Sequence, residues 1–422
     1  MKINKHYLIL AMFCVVLVLC TLIAPNTTTV LPFLGIILIL ISAFMVVELR
    51  DKENLNFLFT ILMVCNFAIS FSNYLLYKNY TFSWQNNIAG TDHHVILAKS
   101  FLIFYLMMCC TVIMTIKRKE KYTFDSSIGD GIKKNTIVFY GGFIVLLLLL
   151  IFGFDRTKVD GYIPASNALY EYAIVIYLFV WVMSPNKKKY RDALIAYAVF
   201  YILQGLIFGD RSSAFPMIIL VYILIQKKNI NSLNLCGLSI LGVFGANLIG
   251  IIRSGVSDGE NIVVSVFNRL LYVDSISYSF YSGIQIIRAR SVTDNLMEHL
   301  FLWIKTLFTG KSGKADLAMF VAEYSSDYFN RGGGTACAYF YFWGQYIGVV
   351  LGGIIVGLFI GKIFKRSKGI YNIFQVLIIV FSLRWYVYFP SVLFRSCLVI
   401  PGILYFTVQC AFNMLGLSSR SP

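Results

Sequence analysis

The chain has 422 residues; 58% are apolar and only 13% are charged, against about 45–50% and about 25% in an ordinary soluble domain. With a mean hydropathy of +0.75, a water-soluble enzyme or DNA-binding domain is excluded, and so is a disordered chain, which needs low hydrophobicity and high charge. Apolar runs of about 20 residues recur throughout, the pattern of membrane helices rather than of a barrel. The expected fold is therefore all-α: a polytopic integral membrane helix bundle.

About twelve transmembrane helices are expected, near residues 7–24, 30–48, 55–77, 95–116, 136–154, 168–184, 193–208, 213–226, 233–252, 341–361, 370–389 and 392–413. The first follows Lys2 and Lys5 as a signal peptide would. It has no A-x-A cleavage site, and Pro25 follows Ala24, so it reads as a helix. The pair at 193–208 and 213–226 is short, and reads alternatively as a helical hairpin that does not fully cross. Three regions follow in order: an N-terminal transmembrane bundle over 1–252, a long loop over 253–340, and C-terminal transmembrane helices over 341–422.

The net charge of +16 is distributed by topology, not gathered into a nucleic-acid surface. One set of loops and termini holds 21 Lys and Arg, including Lys117 to Lys121 and Lys187 to Arg191; the short loops of the other set hold four, Lys78, Arg156, Lys158 and Arg211. Short cytoplasmic loops carry the positive excess. Both termini are therefore expected in the cytoplasm and the 253–340 loop outside. The nine cysteines form no disulfide framework or metal-ligand spacing and read as small apolar residues.

A loop of this length in a compact protein is usually functional. It contains apolar helical stretches at 263–287 and 296–308. In the second, Leu296, Leu300, Trp303 and Leu307 recur at helical spacing around Glu298, His299 and Lys305, the pattern of an amphipathic helix on a membrane surface or over a cavity. Its eight basic and eight acidic residues balance, so it is no polybasic arm.

Four arginines fall at the outer ends of spans: Arg211 in the turn Gly209-Asp210-Arg211-Ser212-Ser213, Arg253 after the ninth span, Arg384 in the eleventh and Arg395 in the twelfth. An arginine at membrane depth normally faces a partner or a wet cavity. Its fork fits phosphate oxygens bidentately. Converging, the four would suit a lipid-linked pyrophosphate; singly, each is a snorkelling anchor, and Arg211 pairs with Asp210. Glu323, Asp327 and Arg331, four apart, form either an ion-pair ladder or a source of a general base. His299 is either structural or a proton acceptor near neutral pH. His93 and His94 read as interfacial packing. Tyr339, Tyr341, Trp343 and Tyr346 belong either to an interfacial belt or to a sugar platform. Gly352, Gly353, Gly357 and Gly361 point to close helix packing. No metal site or cofactor is expected.

The segment Ile207-Phe-Gly-Asp-Arg211-Ser-Ser-Ala-Phe-Pro216 resembles the Gly-x-Arg turn of bacterial Wzy-type O-antigen polymerases. Those proteins also carry one long, partly helical periplasmic loop late in the chain. Arg331-Gly-Gly-Gly-Thr335, followed by Tyr341-Phe-Trp-Gly-Gln-Tyr-Ile-Gly348, resembles the family's Gly-rich approach to an aromatic-Gly helix. Arg384 and Arg395, with Pro390 between them, resemble its late arginine motif. The resemblance implies an oligosaccharide repeat unit polymerase of the bacterial inner (cytoplasmic) membrane, a metal-independent glycosyltransferase of lipopolysaccharide biosynthesis. Its substrates would be oligosaccharides on undecaprenyl pyrophosphate. Membrane lipids and a chain-length regulator would be its other partners, and nucleic acid would not be one. Arg211, Arg253, Arg384 and Arg395 would hold the leaving pyrophosphate, while Glu323, Asp327 or His299 would take the acceptor's proton. An O-antigen ligase shares this architecture. The other alternative is a lipid-linked oligosaccharide flippase or a secondary transporter; the long loop counts against the first, which would show evenly short loops, and the scarcity of mid-span acids against the second.

Overall fold

In the computed structural model the described residues are 5–77, 88–116, 128, 132, 134–153, 168–207, 210–225, 237, 245, 274–309, 317, 320–321, 333–366 and 369–414. Every regular element among them is helical. In chain order the longer ones are α1 (Lys5–Ile23), α2 (Leu31–Glu48), α3 (Glu53–Ile69), α4 (Asp92–Thr115), α5 (Thr136–Phe152), α6 (Ala168–Met183), α7 (Lys188–Ile207), α8 (Arg211–Ile225), α9 (Asp274–Arg290), α10 (Leu296–Thr309), α11 (Ala336–Phe364), α12 (Ile370–Val380) and α13 (Ile400–Met414), with short helical turns at Thr28–Val30 and Ser391–Phe394. Three π-helical turns, Ser70–Leu75, Arg384–Tyr388 and Arg395–Val399, interrupt or follow them.

Among the described residues, five helical stretches are long and apolar enough to cross a membrane: Thr28–Glu48, Glu53–Leu75, Asp92–Thr115, Ala336–Phe364 and Ser391–Ala411. Shorter apolar helices accompany them at Ile9–Ile23, Thr136–Phe152, Leu169–Met183, Ser212–Ile225 and Ile370–Val380. Large side chains such as Ile23, Phe33, Phe152 and Phe200 are exposed, as suits helices whose outer solvent is hydrocarbon. This is compatible with a multi-pass membrane protein. The expected span at 233–252 lies, apart from residues 237 and 245, outside the described residues.

The chain divides into two compact units. The first takes residues 1–123, 229–365 and 382–391. Its centre is α4 against α11, and the glycines of α11 explain their closeness. A Cβ on Gly353 would stand 2.7 Å from the Phe104 carbonyl oxygen; one on Gly357, 2.7 Å from that of Met108; one on Gly361, 2.6 Å from the Thr115 Cβ. Small residues at this spacing let helix backbones approach. A buried polar relay crosses the same unit: the Tyr386 hydroxyl donates to Asn66 Oδ1 (2.9 Å), Asn66 Nδ2 donates to Ser42 Oγ (2.8 Å), and Ser42 Oγ donates to the Leu38 carbonyl (2.6 Å). Lys99, also buried, donates from Nζ to the Ala24 carbonyl just past the end of α1 and to Asn26 Oδ1 (2.7 Å). A cation at a helix C-terminus answers the carbonyls left there without partners.

Helix α9 belongs to this unit and falls largely within the apolar helical stretch expected at 263–287. Every residue from Ile276 to Ile287 is buried, with the helix packed on α3, α4 and α11. Its small residues permit this: a Cβ on Gly283 would already stand 3.1 Å from Leu97 and from Thr335 Oγ1, and Ser279 Oγ donates to the Val387 carbonyl.

The second unit takes residues 124–228, 366–381 and 392–422. Here α5 packs on α6, α7 on α8, and α12 on α6 and α8. Asn135 caps α5, its Oδ1 accepting from the Ile137 N–H (2.8 Å), and its own N–H donates to the Met183 carbonyl at the end of α6 (2.8 Å).

Candidate functional site

The end of the second unit where α7 finishes and α6 and α8 begin gathers the groups with chemistry. Tyr170 and Tyr201 stack with ring centres 4.2 Å apart and planes 7° from parallel. Each hydroxyl donates to the other residue's backbone carbonyl, at 3.0 and 2.9 Å. This double clasp fixes the start of α6 against α7. Gln204 Nε2 donates to the Leu150 carbonyl near the end of α5 (3.2 Å). Gly205 lets α7 lie close against the start of α8, because a Cβ there would sit 3.1 Å from the Asp210 carbonyl oxygen and 3.2 Å from the Ala214 Cβ.

Asp210 initiates α8. Its Oδ1 accepts from Ser212 Oγ at 2.6 Å and from the Ser213 N–H at 3.2 Å, the arrangement of an N-cap. The residue is 1% exposed, and its Oδ2 has no hydrogen-bond partner among the described residues. The carboxylate acts electrostatically on both Tyr170 and Tyr201. Arg211 follows as the first residue of α8, with only its backbone described.

Arg395 opens a π-helical turn in the same unit. Its guanidinium lies over the Tyr172 ring, 5.2 Å from the centre, and Glu171 is its electrostatic neighbour. The negative face of the tyrosine ring attracts the cation there. The α6 N-terminal turn thus bears on the Asp210 turn through Tyr170 and on Arg395 through Glu171 and Tyr172.

Arg384 also opens a π-helical turn, but in the first unit, where it is half-buried and followed by buried Trp385 and Tyr386. Single π turns concentrate at functional sites, and two of the three here start at an arginine that the sequence singles out. Among the four arginines, the structure brings Arg395 and the Arg211 turn into one unit. Arg253, Glu323, Asp327 and Arg331 lie outside the described residues.

His299 is on the buried side of α10, its ring 4.2 Å from that of Phe320 and 5.8 Å from that of Phe342. Its Nδ1 is buried with no hydrogen-bond partner among the described residues. Trp303, one turn on, meets Trp343 of α11 at 4.9 Å. The other side of α10 exposes Met297, Phe301, Ile304 and Phe308. The helix therefore has two apolar faces, one against α11 and one outward. In α11 the aromatic cluster flanks a break: Gly344 and Gln345 leave helical geometry, Gln345 at φ 51°, and Tyr341 meets Tyr346 across it with ring centres 5.3 Å apart. The approach to α11 needs its glycines. Gly333 and Gly334 have φ of 79° and 158°, and a Cβ on either would strike Tyr388 at 2.8 Å or Ile286 at 2.4 Å.

Sequence reasoning looked past Asp210, which it took only as a partner for Arg211. The available signal was an acid directly before a Ser-Ser pair at a helix start. No family model, curated protein or solved structure matches this chain.

Proposed function

We propose that the chain is an O-antigen polymerase of the Wzy type. It would join oligosaccharide repeat units carried on undecaprenyl pyrophosphate at the periplasmic face of the bacterial inner membrane, with both termini in the cytoplasm. The observation that carries the reading is the end of the second unit. There Asp210 caps α8, which begins at Arg211, and Arg395 is held over Tyr172 beside Glu171. An arginine held as Arg395 is within an apolar helix bundle suits a phosphate leaving group. In this reading an acceptor hydroxyl attacks the anomeric carbon of the donor's reducing-end sugar, and undecaprenyl pyrophosphate departs with the bonding electrons. Guanidinium groups already in place stabilise the charge that develops on it.

The test is polymer length in a deletion strain carrying each variant at matched protein level. Arg211→Ala and Arg395→Ala should each lower polymerisation about a hundredfold, the scale of a lost leaving-group contact. Arg→Lys should fail nearly as badly, because a point charge does not replace a fork. Normal polymer from both alanine variants would make these arginines topological anchors and remove the site.

A further inference from the structure

We infer that Asp210 is the proton acceptor of this reaction, an assignment that rests on the polymerase reading above. The N-cap role uses one oxygen only. Oδ1 satisfies the Ser212 hydroxyl and the Ser213 N–H, and an Asn, Ser or Thr would do this as well as an Asp. Among the described residues no partner accounts for the second oxygen, Oδ2, which is buried. Removing such an atom from water costs free energy that a neutral cap avoids, and an ionisable group within an apolar helix bundle marks function. The neighbouring hydroxyls do not explain it either, since those of Tyr170 and Tyr201 both donate to backbone carbonyls.

The chemistry of the proposed transfer supplies the missing donor, an acceptor-sugar hydroxyl. Its O–H bond breaks and the proton passes to Oδ2. The freed oxygen forms a bond to the anomeric carbon of the donor. The bond from that carbon to the pyrophosphate oxygen breaks, and its electron pair leaves on the pyrophosphate. Asp210 ends as a neutral carboxylic acid and returns its proton to water. No other reactant is required.

The cap offers a clean experiment. Asp210→Asn keeps the N-cap and removes the proton acceptor; Asp210→Ser does the same with a hydroxyl. The substrate is the lipid-linked repeat unit extracted from a strain lacking the protein, supplied to membrane vesicles containing each variant. Loss of a general base typically costs about 100-fold to 10,000-fold. Both variants should therefore lose at least about 100-fold in rate at saturating substrate, with wild-type protein amounts and thermal stability. Asp210→Ala should lose stability as well. Near-normal polymerisation by Asp210→Asn or Asp210→Ser overturns the assignment, and so does a defect confined to KM. Vesicles of the wild-type protein that make no polymer overturn the polymerase reading itself, a different result from failure of the variants alone.

Discussion

Replacing Gly357 by alanine tests the packing that holds the first unit together. The new Cβ would meet the Met108 carbonyl oxygen and the Thr111 Cβ, each at 2.7 Å, where non-bonded atoms prefer about 3.5–4.0 Å. One contact is backbone, so no rotamer change relieves it, and α4 and α11 must part locally by about 1 Å. A gap of that size forfeits about a quarter to a half of each dispersion contact along the seam, and overpacking of this kind typically costs about 1–3 kcal/mol. Gly141 in α5 is the control, since a Cβ there meets nothing within 4 Å. Alanine at an open helical glycine is worth about 0.5–1 kcal/mol in the favourable direction. Thermal unfolding of the purified protein in one detergent should therefore shift down for Gly357→Ala and up for Gly141→Ala. Equal shifts of the same sign, or an unchanged midpoint for Gly357→Ala, would refute the close-packed seam.

Asn66→Leu should destabilise the first unit by about 1–3 kcal/mol by leaving the buried Tyr386 hydroxyl without its acceptor. Adding Tyr386→Phe should restore part of the loss, a non-additivity that a double-mutant cycle in the same melting assay reads directly. Ser291 is exposed just past the end of α9, whereas Ser277 within α9 is fully buried. In a cysteine-free background, Ser291→Cys should react with an impermeant maleimide added from the periplasmic side, and Ser277→Cys only after denaturation. Labelling of Ser291→Cys from the cytoplasmic side alone would reverse the proposed topology.

Helix positions were largely legible because apolar run length needs no tertiary knowledge. Expected spans at 30–48, 136–154 and 168–184 coincide with Leu31–Glu48, Thr136–Phe152 and Ala168–Met183 to within two residues. The glycine spacing in α11 likewise carried its packing into view. The π-helical turns were not legible, since hydropathy runs unbroken through 55–77 and 392–413 while the hydrogen-bond ladder slips inside them. Helix α9 lies largely within the expected helical stretch at 263–287; its complete burial was not legible, because Ser277, Ser279, Ser282 and Gln285 are polar yet fit a crowded interior that larger apolar side chains would not enter. The candidate site was half visible. Charge at span ends picks out Arg384 and Arg395, whereas the stacked tyrosines and the spare oxygen of Asp210 depend on contacts between helices distant in sequence.

The most direct test of the proposed function is the lipopolysaccharide of a strain from which only this gene is removed, resolved by gel. The expected result is core bearing a single repeat unit, with the long ladder restored by the wild-type chain. Lipopolysaccharide with no repeat unit at all, or an undiminished ladder, would contradict polymerisation, and the former would favour a ligase or a flippase.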